Sequence, residues 1–286
     1  MSQSGTSRHQ RNWDLRAAGN FIGGGTGAGL LVMAALAAAS GAPYRLALAI
    51  GLGCVLAGLS LVWLEIGKPW RALNVFFHPR MSWMTREAIV AGVMVPVGLT
   101  GVVSGSAIVA TVAATLAGGF LYCQARMLRA AKGIPAWRQT EIVPFVLATG
   151  LAEGSGLYLV VGTQTVGFLM LALLAGLSRE AAWLAYRAGL GRTPAAARSV
   201  ALFGAPPTRF VRGAGLAGLV LLALALVSTV IDPGVSQVLA WVGGGLAALA
   251  GWGLKALLIT RAAFTRAVAI PVTPTRGSRG SHARQA

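Results

Sequence analysis

Eight apolar stretches of roughly 20 residues constrain this chain more than any other feature. They lie near 18–38, 46–66, 86–104, 107–126, 142–162, 165–187, 213–231 and 236–258. A helix rises about 1.5 Å per residue, so each stretch matches the roughly 30 Å of hydrocarbon in a bilayer. A backbone inside lipid must satisfy its own hydrogen bonds, and a run of this length does so as a helix. The expected class is all-α: a polytopic membrane protein with about eight transmembrane helices in two four-helix bundles. Only 11% of the 286 residues are charged, against about 25% in a soluble domain. The expected division is a short segment over 1–17, a membrane domain over 18–270 and a tail over 271–286. The tail is rich in Thr, Pro, Arg, Ser and Gly, a composition that cannot build a core and points to disorder. The first stretch follows Arg8, Arg11 and Arg16. It is long for a signal peptide, and its removal would leave an odd number of spans, so it reads as a retained helix.

The net charge is +17, from 24 basic residues against 7 acidic ones. In a soluble protein that balance suggests nucleic acid. Here the positives sort by loop instead, and no nucleic-acid partner is expected. Arg8, Arg11 and Arg16 precede the first helix. Lys68, Arg71, Arg80 and Arg86 lie between helices two and three, and Arg126, Arg129, Lys132 and Arg138 between four and five. Arg187, Arg192, Arg198, Arg209 and Arg212 lie between six and seven. Lys255, Arg261, Arg266, Arg276, Arg279 and Arg284 follow the last span. Arg45 alone falls at the opposite end, and Arg179 lies inside helix six. Basic loops stay in the cytoplasm, so both termini are expected there. The connections at the other end are tight turns such as Ser104-Gly105-Ser106 and Asp232-Pro233-Gly234. Function is therefore expected on the cytoplasmic face.

Several chemistries are excluded. The two cysteines, Cys54 and Cys123, have no metal-type spacing, so the chain holds no iron–sulfur cluster of its own. The histidines are His9, His78 and His282, none in mid-helix, so no haem is held between helices. No metal site is expected. Gly23-Gly24-Gly25 and Gly243-Gly244-Gly245 fall in or beside apolar runs and read as packing glycines, not phosphate cradles.

The acidic residues carry the remaining information. Glu65 ends helix two, where the helix dipole disfavours an anion. Lys68, Arg71 or Arg86 could compensate it. Glu87 opens helix three, where a carboxylate is favourable and Thr85 is a plausible N-cap. The antiparallel pair brings Glu65 and Glu87 to one membrane face, and a carboxylate pair at a partly dry interface can pass protons. Trp70 and Trp83 flank them, either as approach to a site or as an interfacial aromatic belt. Glu153 lies roughly 16 Å deep in helix five and Arg179 roughly 12 Å deep in helix six. Such groups are normally paired. They read either as a structural ion pair between helices five and six or as a proton relay, with Glu180 an alternative partner for Arg179. Two basic stretches, 126–138 and 255–271, read either as snorkelling helix ends or as surfaces for a soluble partner.

Glu65-Ile66-Gly67-Lys68-Pro69-Trp70-Arg71-Ala72-Leu73-Asn74, followed by Ser82-Trp83-Met84-Thr85-Arg86-Glu87-Ala88, resembles the membrane-anchor subunits of dimethyl sulfoxide reductase-type complexes. These belong to the wider group that includes the polysulfide reductase anchor. Residues 130–138 and 260–264 resemble the branch of phenylacetyl-CoA:acceptor oxidoreductase membrane subunits. The resemblance implies a haem-free anchor in the bacterial inner membrane that exchanges electrons with quinone, as in anaerobic respiration. It implies a ferredoxin-like iron–sulfur subunit and a molybdopterin catalytic subunit as partners, with quinone or quinol as the exchangeable cofactor. Primary catalysis would belong to the partner. Glu87 matches an acidic residue associated with the family's quinone site. Glu65 stands where the dimethyl sulfoxide reductase anchor has a histidine, which leaves quinone type and reaction direction open. In these terms Glu65 and Glu87 exchange protons, Arg71 and Arg86 tune them, and Trp70 and Trp83 line the approach. Two rival readings remain: a transporter with Glu153 and Arg179 at its substrate site, and a purely structural anchor. Against the transporter, no inverted repeat or matching pair of broken helices is visible.

Overall fold

The computed structural model describes residues 8–10, 13–64, 77, 80 and 82–265. The helices are α1 (Leu15–Ala39), α2 (Arg45–Trp63), α3 (Trp83–Ser104), α4 (Ala107–Ala130), α5 (Ile142–Val161), α6 (Val166–Gly191), α7 (Ala197–Phe203), α8 (Pro206–Ile231) and α9 (Pro233–Ala256). All except the short α7 are long and apolar enough to cross a membrane, giving eight spans among the described residues. The chain is an all-α, multi-pass membrane protein. Several ends differ from expectation by three residues or more. Helix α6 runs to Gly191 rather than 187, and α8 starts at Pro206 rather than 213. Proline suits the first helical turn, where its missing N–H is not needed, so α8 starts early despite its arginines.

Local chemistry fixes the helix ends. Asp14 caps α1 by accepting from the Arg16 amide at 2.8 Å. Asp232 caps α9 by accepting from the amides of Gly234 and Val235. Ser106 and Thr165 cap α4 and α6 in the same way. At the C-terminus of α3, Gly105 adopts φ 66°, the left-handed conformation that favours glycine. Arg45 lies beside it and donates to the carbonyls of Val102 and Val103. The sole basic residue expected at this end thus completes a helix C-terminus, where positive charge is favourable.

The spans form two rings of four. In one, α1, α2, α3 and α4 contact each other in cyclic order; in the other, α5, α6, α8 and α9 do so. The rings join chiefly where α1 meets α5, with further contact from α4 to α5 and from α1 to α9. Helix α1 is the hub. Its Gly23 lies against the backbone of Cys54 and Gly58 on α2. Gly24 faces Gln124 on α4, Gly25 faces Lys255 on α9, and Gly29 meets the backbone of Gly150 and Gly154 on α5. In lipid, helices associate through close van der Waals contact, and small residues permit it. The Gly-rich run of α1 spreads small residues around the helix, so α1 approaches several neighbours at once.

The described ends of the chain, residues 8–10 and 263–265, lie together at one end of the bundle, here called the basic end. Residues 8–10 pair with 263–265: the Gln10 amide donates to the Ala263 carbonyl at 3.0 Å, and the Thr265 amide to the Arg8 carbonyl at 2.7 Å. The connection after α4 folds back under this pair. Trp137 is fully buried, donates its indole N–H to the Leu258 carbonyl at 3.1 Å and packs on Trp13. The Tyr186 hydroxyl donates to the Ala136 carbonyl, and the Ser199 hydroxyl to the Ala262 carbonyl. Residues 131–141 are therefore a packed plug and not a free extension of α4. Pro135 supplies the reason, since it has no N–H and disfavours helix at the preceding residue. The expected tail over 271–286 lies outside the described residues.

Replacing Gly154 or Gly29 by Ala should force α1 and α5 apart, because the added methyl meets backbone that cannot rotate away. We expect a loss of about 1–3 kcal/mol, read as a lower melting temperature in detergent. Gly118→Ala, where a methyl meets nothing, serves as the neutral control.

Candidate functional site

Six of the seven acidic residues are described, and three of them have structural explanations. Asp14 and Asp232 are caps. Hydrogen bonds from Arg16 also hold the Asp14 carboxyl below its ordinary pKa. Glu141 takes the N-cap position of α5 and accepts from the Thr140 hydroxyl at 2.9 Å. The other three, Glu87, Glu153 and Glu180, are buried within the rings.

Glu87 differs from its expected setting. The N-cap of α3 is Ser82, which accepts from the Thr85 amide at 3.3 Å, and Thr85 is itself helical. Glu87 consequently sits in the second turn, past the amides that would stabilise it. It faces inward and is only 4% exposed. Asn20 of α1 and Gln124 of α4 are the side chains close enough to hydrogen-bond its carboxyl group. Gln124 also donates to the Asn20 carbonyl at 3.2 Å, which fixes it between α1 and α4. Among the described residues Glu87 Oε1, Asn20 Oδ1 and Gln124 Oε1 are all buried without a hydrogen-bond donor. Among the described residues Glu87 forms no ion pair. The site is thus rich in acceptors and short of donors.

At the mouth of this site stands Trp83, one turn before Glu87. Its ring is held between two guanidinium groups, Arg86 at 4.2 Å and Arg126 at 4.6 Å from the centroid. Tyr122 packs edge-on against it and accepts a hydrogen bond from Arg126 at 2.8 Å. Two cation–π contacts fix the indole more firmly than a free interfacial aromatic. Trp83 and Arg86 are in contact, and Glu87 lies one turn further along α3 with Asn20 and Gln124 as its neighbours. Glu65, Trp70 and Arg71 lie outside the described residues.

The second constellation joins the two rings. Glu153 of α5 is fully buried, and its Oε2 accepts from Lys255 Nζ at 2.7 Å and from the Thr26 hydroxyl at 2.9 Å. Lys255 also donates to the Phe21 carbonyl at 2.9 Å, and the Trp252 indole to Thr26 at 2.8 Å. Two expectations are corrected here. Lys255 is not a basic residue of the C-terminal end: it is 1% exposed in the last turn of α9 and points into the bundle. Glu153 does not pair with Arg179, because Lys255 reaches it first. The absent side chains of Gly25 and Gly251 leave the room this pair occupies.

Arg179 lies twelve residues before the end of α6, about 18 Å along its axis, deeper than expected because α6 continues past 187. Its Nη1 donates to the Ala247 carbonyl at 2.7 Å. Its ion-pair partner is Glu180, at 3.5 Å, which Arg212 of α8 also engages at 3.1 Å.

Sequence reasoning missed Asn20, Gln124, Thr26, Lys255 and Trp252. The signal was present for the polar ones, since each lies in a stretch otherwise apolar enough to span. No protein-family model matches the chain, and no curated protein matches it significantly. Lys255→Met should leave Glu153 buried without its counter-ion and cost about 3–5 kcal/mol. The double variant Lys255→Met with Glu153→Gln should recover most of that loss. A double-mutant cycle of melting temperatures measures both.

Proposed function

We propose that the chain is a quinone-reactive membrane anchor of an oxidoreductase complex, with its proton-exchanging group at Glu87. The observation that carries this reading is the burial of Glu87 without a counter-ion among the described residues, beside two further acceptors that lack donors there. A buried carboxylate of this kind is poised to take up a proton. The orphan oxygens at Glu87, Asn20 and Gln124 suit a ligand that presents hydroxyl groups, as a quinol does. Quinone, when bound, supplies the two-electron couple, which this chain's own side chains lack. Glu87 Oε1 would take one of the two quinol hydroxyl protons on oxidation and return it on reduction; Glu65, as the resemblance implies, would exchange the other, and the two electrons would pass to or from the iron–sulfur subunit. Asn20 and Gln124 orient the headgroup. Trp83, clamped by Arg86 and Arg126, forms a rigid wall on the side facing the bundle surface.

The positive-inside rule supports a bacterial inner-membrane setting with the basic end in the cytoplasm. Electrons would be exchanged with a ferredoxin-like iron–sulfur subunit, linked in turn to a molybdopterin catalytic subunit, both docked on that end. The resemblance of residues 64–88 to dimethyl sulfoxide reductase-type anchors supports this partner set. The transporter reading loses ground, because Glu153 and Arg179 are already engaged by Lys255, Glu180 and the Ala247 carbonyl. A relay role for Glu153 would have to run through its pair with Lys255.

Two measurements test the proposal. Glu87→Gln should lower quinol-linked turnover of the native complex at least about tenfold while assembly stays intact. Unchanged turnover would instead favour a purely structural anchor. Purification from native membranes should recover an iron–sulfur subunit with the chain; its consistent absence would sink the partner assignment.

A further inference from the structure

Between α6 and α8 neither the charges nor the hydrogen bonds balance. Arg179 is fully buried, and beyond its bond to Ala247 its Nε and Nη2 have no hydrogen-bond acceptor. Trp183 lies one turn further along the same face of α6. It too is fully buried, and its indole N–H has no acceptor. Across from them Arg212 sits 5.9 Å from the Trp183 ring centroid; its Nη2 bonds Glu180, while its Nε is unsatisfied. Among the described residues the one unsatisfied acceptor in ion-pair range of them is Glu180 Oε1, which lies 3.5 Å from Arg179 Nη2; Glu153 Oε1, also unsatisfied, is on an acid coupled to Arg179 only at longer range.

Four N–H groups thus face one oxygen, and two guanidinium groups face one carboxylate. Glu153, the other acid coupled to Arg179, is already neutralised by Lys255. Among the described residues one positive charge is left over at the partly exposed rim of the bundle, and the buried donors of Arg179 and Trp183 stay unsatisfied, which is costly. A single negatively charged acceptor corrects both deficits, whereas a cation or a second donor would worsen them. The excess is one charge, so the acceptor is monovalent. The α8 backbone comes close at Gly215, where even a Cβ would crowd Arg179 Nη2, so the acceptor is small. A route in exists: the Arg212 side chain is 28% exposed, while those of Arg179 and Glu180 are at most 10% exposed.

We propose that Arg179, Trp183 and Arg212 form a binding site for a small monovalent anion, a halide or a short carboxylate, between α6 and α8. The site is separate from Glu87 and stands whether or not the chain reacts with quinone. Occupancy ties α6 to α8 and so links stability of the second ring to the anion supply.

Melting of the purified full-length chain in detergent tests this, with sodium chloride and sodium formate titrated separately against sodium gluconate at constant ionic strength. Chloride or formate should raise the melting temperature saturably, by roughly 2–4 °C, and gluconate should not. A response to chloride alone assigns a halide, and one to formate alone assigns a carboxylate. Arg212→Gln should abolish the response. Trp183→Phe keeps the ring packing but removes the N–H, and should shift half-saturation several-fold higher. Identical melting in all three salts, or an unaltered response in either variant, would overturn the proposal.

Discussion

The approach of α1 to α5 is the contact on which the remaining architecture depends. Gly29 meets Gly150 and Gly154 backbone to backbone, and this joins two rings that otherwise share few contacts. Because α1 sits in the middle, its polar groups serve both rings. Asn20 turns toward Glu87 in the first ring, while Thr26 and the Phe21 carbonyl turn toward Glu153 and Lys255 of the second. In lipid there is no hydrophobic drive between helices. The glycines of α1 let the helices close, and the buried polar groups then specify which surfaces meet.

The three buried acids illustrate three ways for a carboxylate to exist in a membrane bundle. Glu153 has its own ammonium partner and two hydrogen bonds, so it is held tightly and suited to structure. Glu180 shares two guanidinium groups and sits in a surplus of positive charge. Glu87 has amide neighbours but no ion pair among the described residues. Of the three, it is the one whose surroundings leave a proton as the simplest source of compensation.

The eight spans were legible because hydropathy and length are local properties of sequence, and the bilayer imposes a single length scale. The turns and the basic loops were legible for the same reason. Pairing was not. Lys255 lies in the last turn of an apolar run followed by basic residues, so it looks like one more topological lysine. Only the packing of α9 beside α1 and α5 reveals that it points inward. Glu87 looked like an ordinary first-turn carboxylate until Ser82 emerged as the cap and moved it one turn inward. Trp137 sat in a stretch that read as a basic helix end, because the fold-back after Pro135 depends on contacts with residues more than a hundred positions away. Asn20 and Gln124 were visible as polar residues in apolar runs, but their shared neighbour was not.

The pairing of Glu153 with Lys255 also bears on how the chain is made. Spans enter the bilayer in order, so α5 arrives with its acid long before α9 brings the base. During synthesis the hub must hold an acid without its counter-ion, and the half-built assembly is electrically incomplete. Arrival of the last helix neutralises that charge, and the 258–265 segment then clasps Trp137 and residues 8–10. Insertion of α9 is thereby coupled to closure of the core, and a product lacking that span would carry an exposed defect that quality control can recognise.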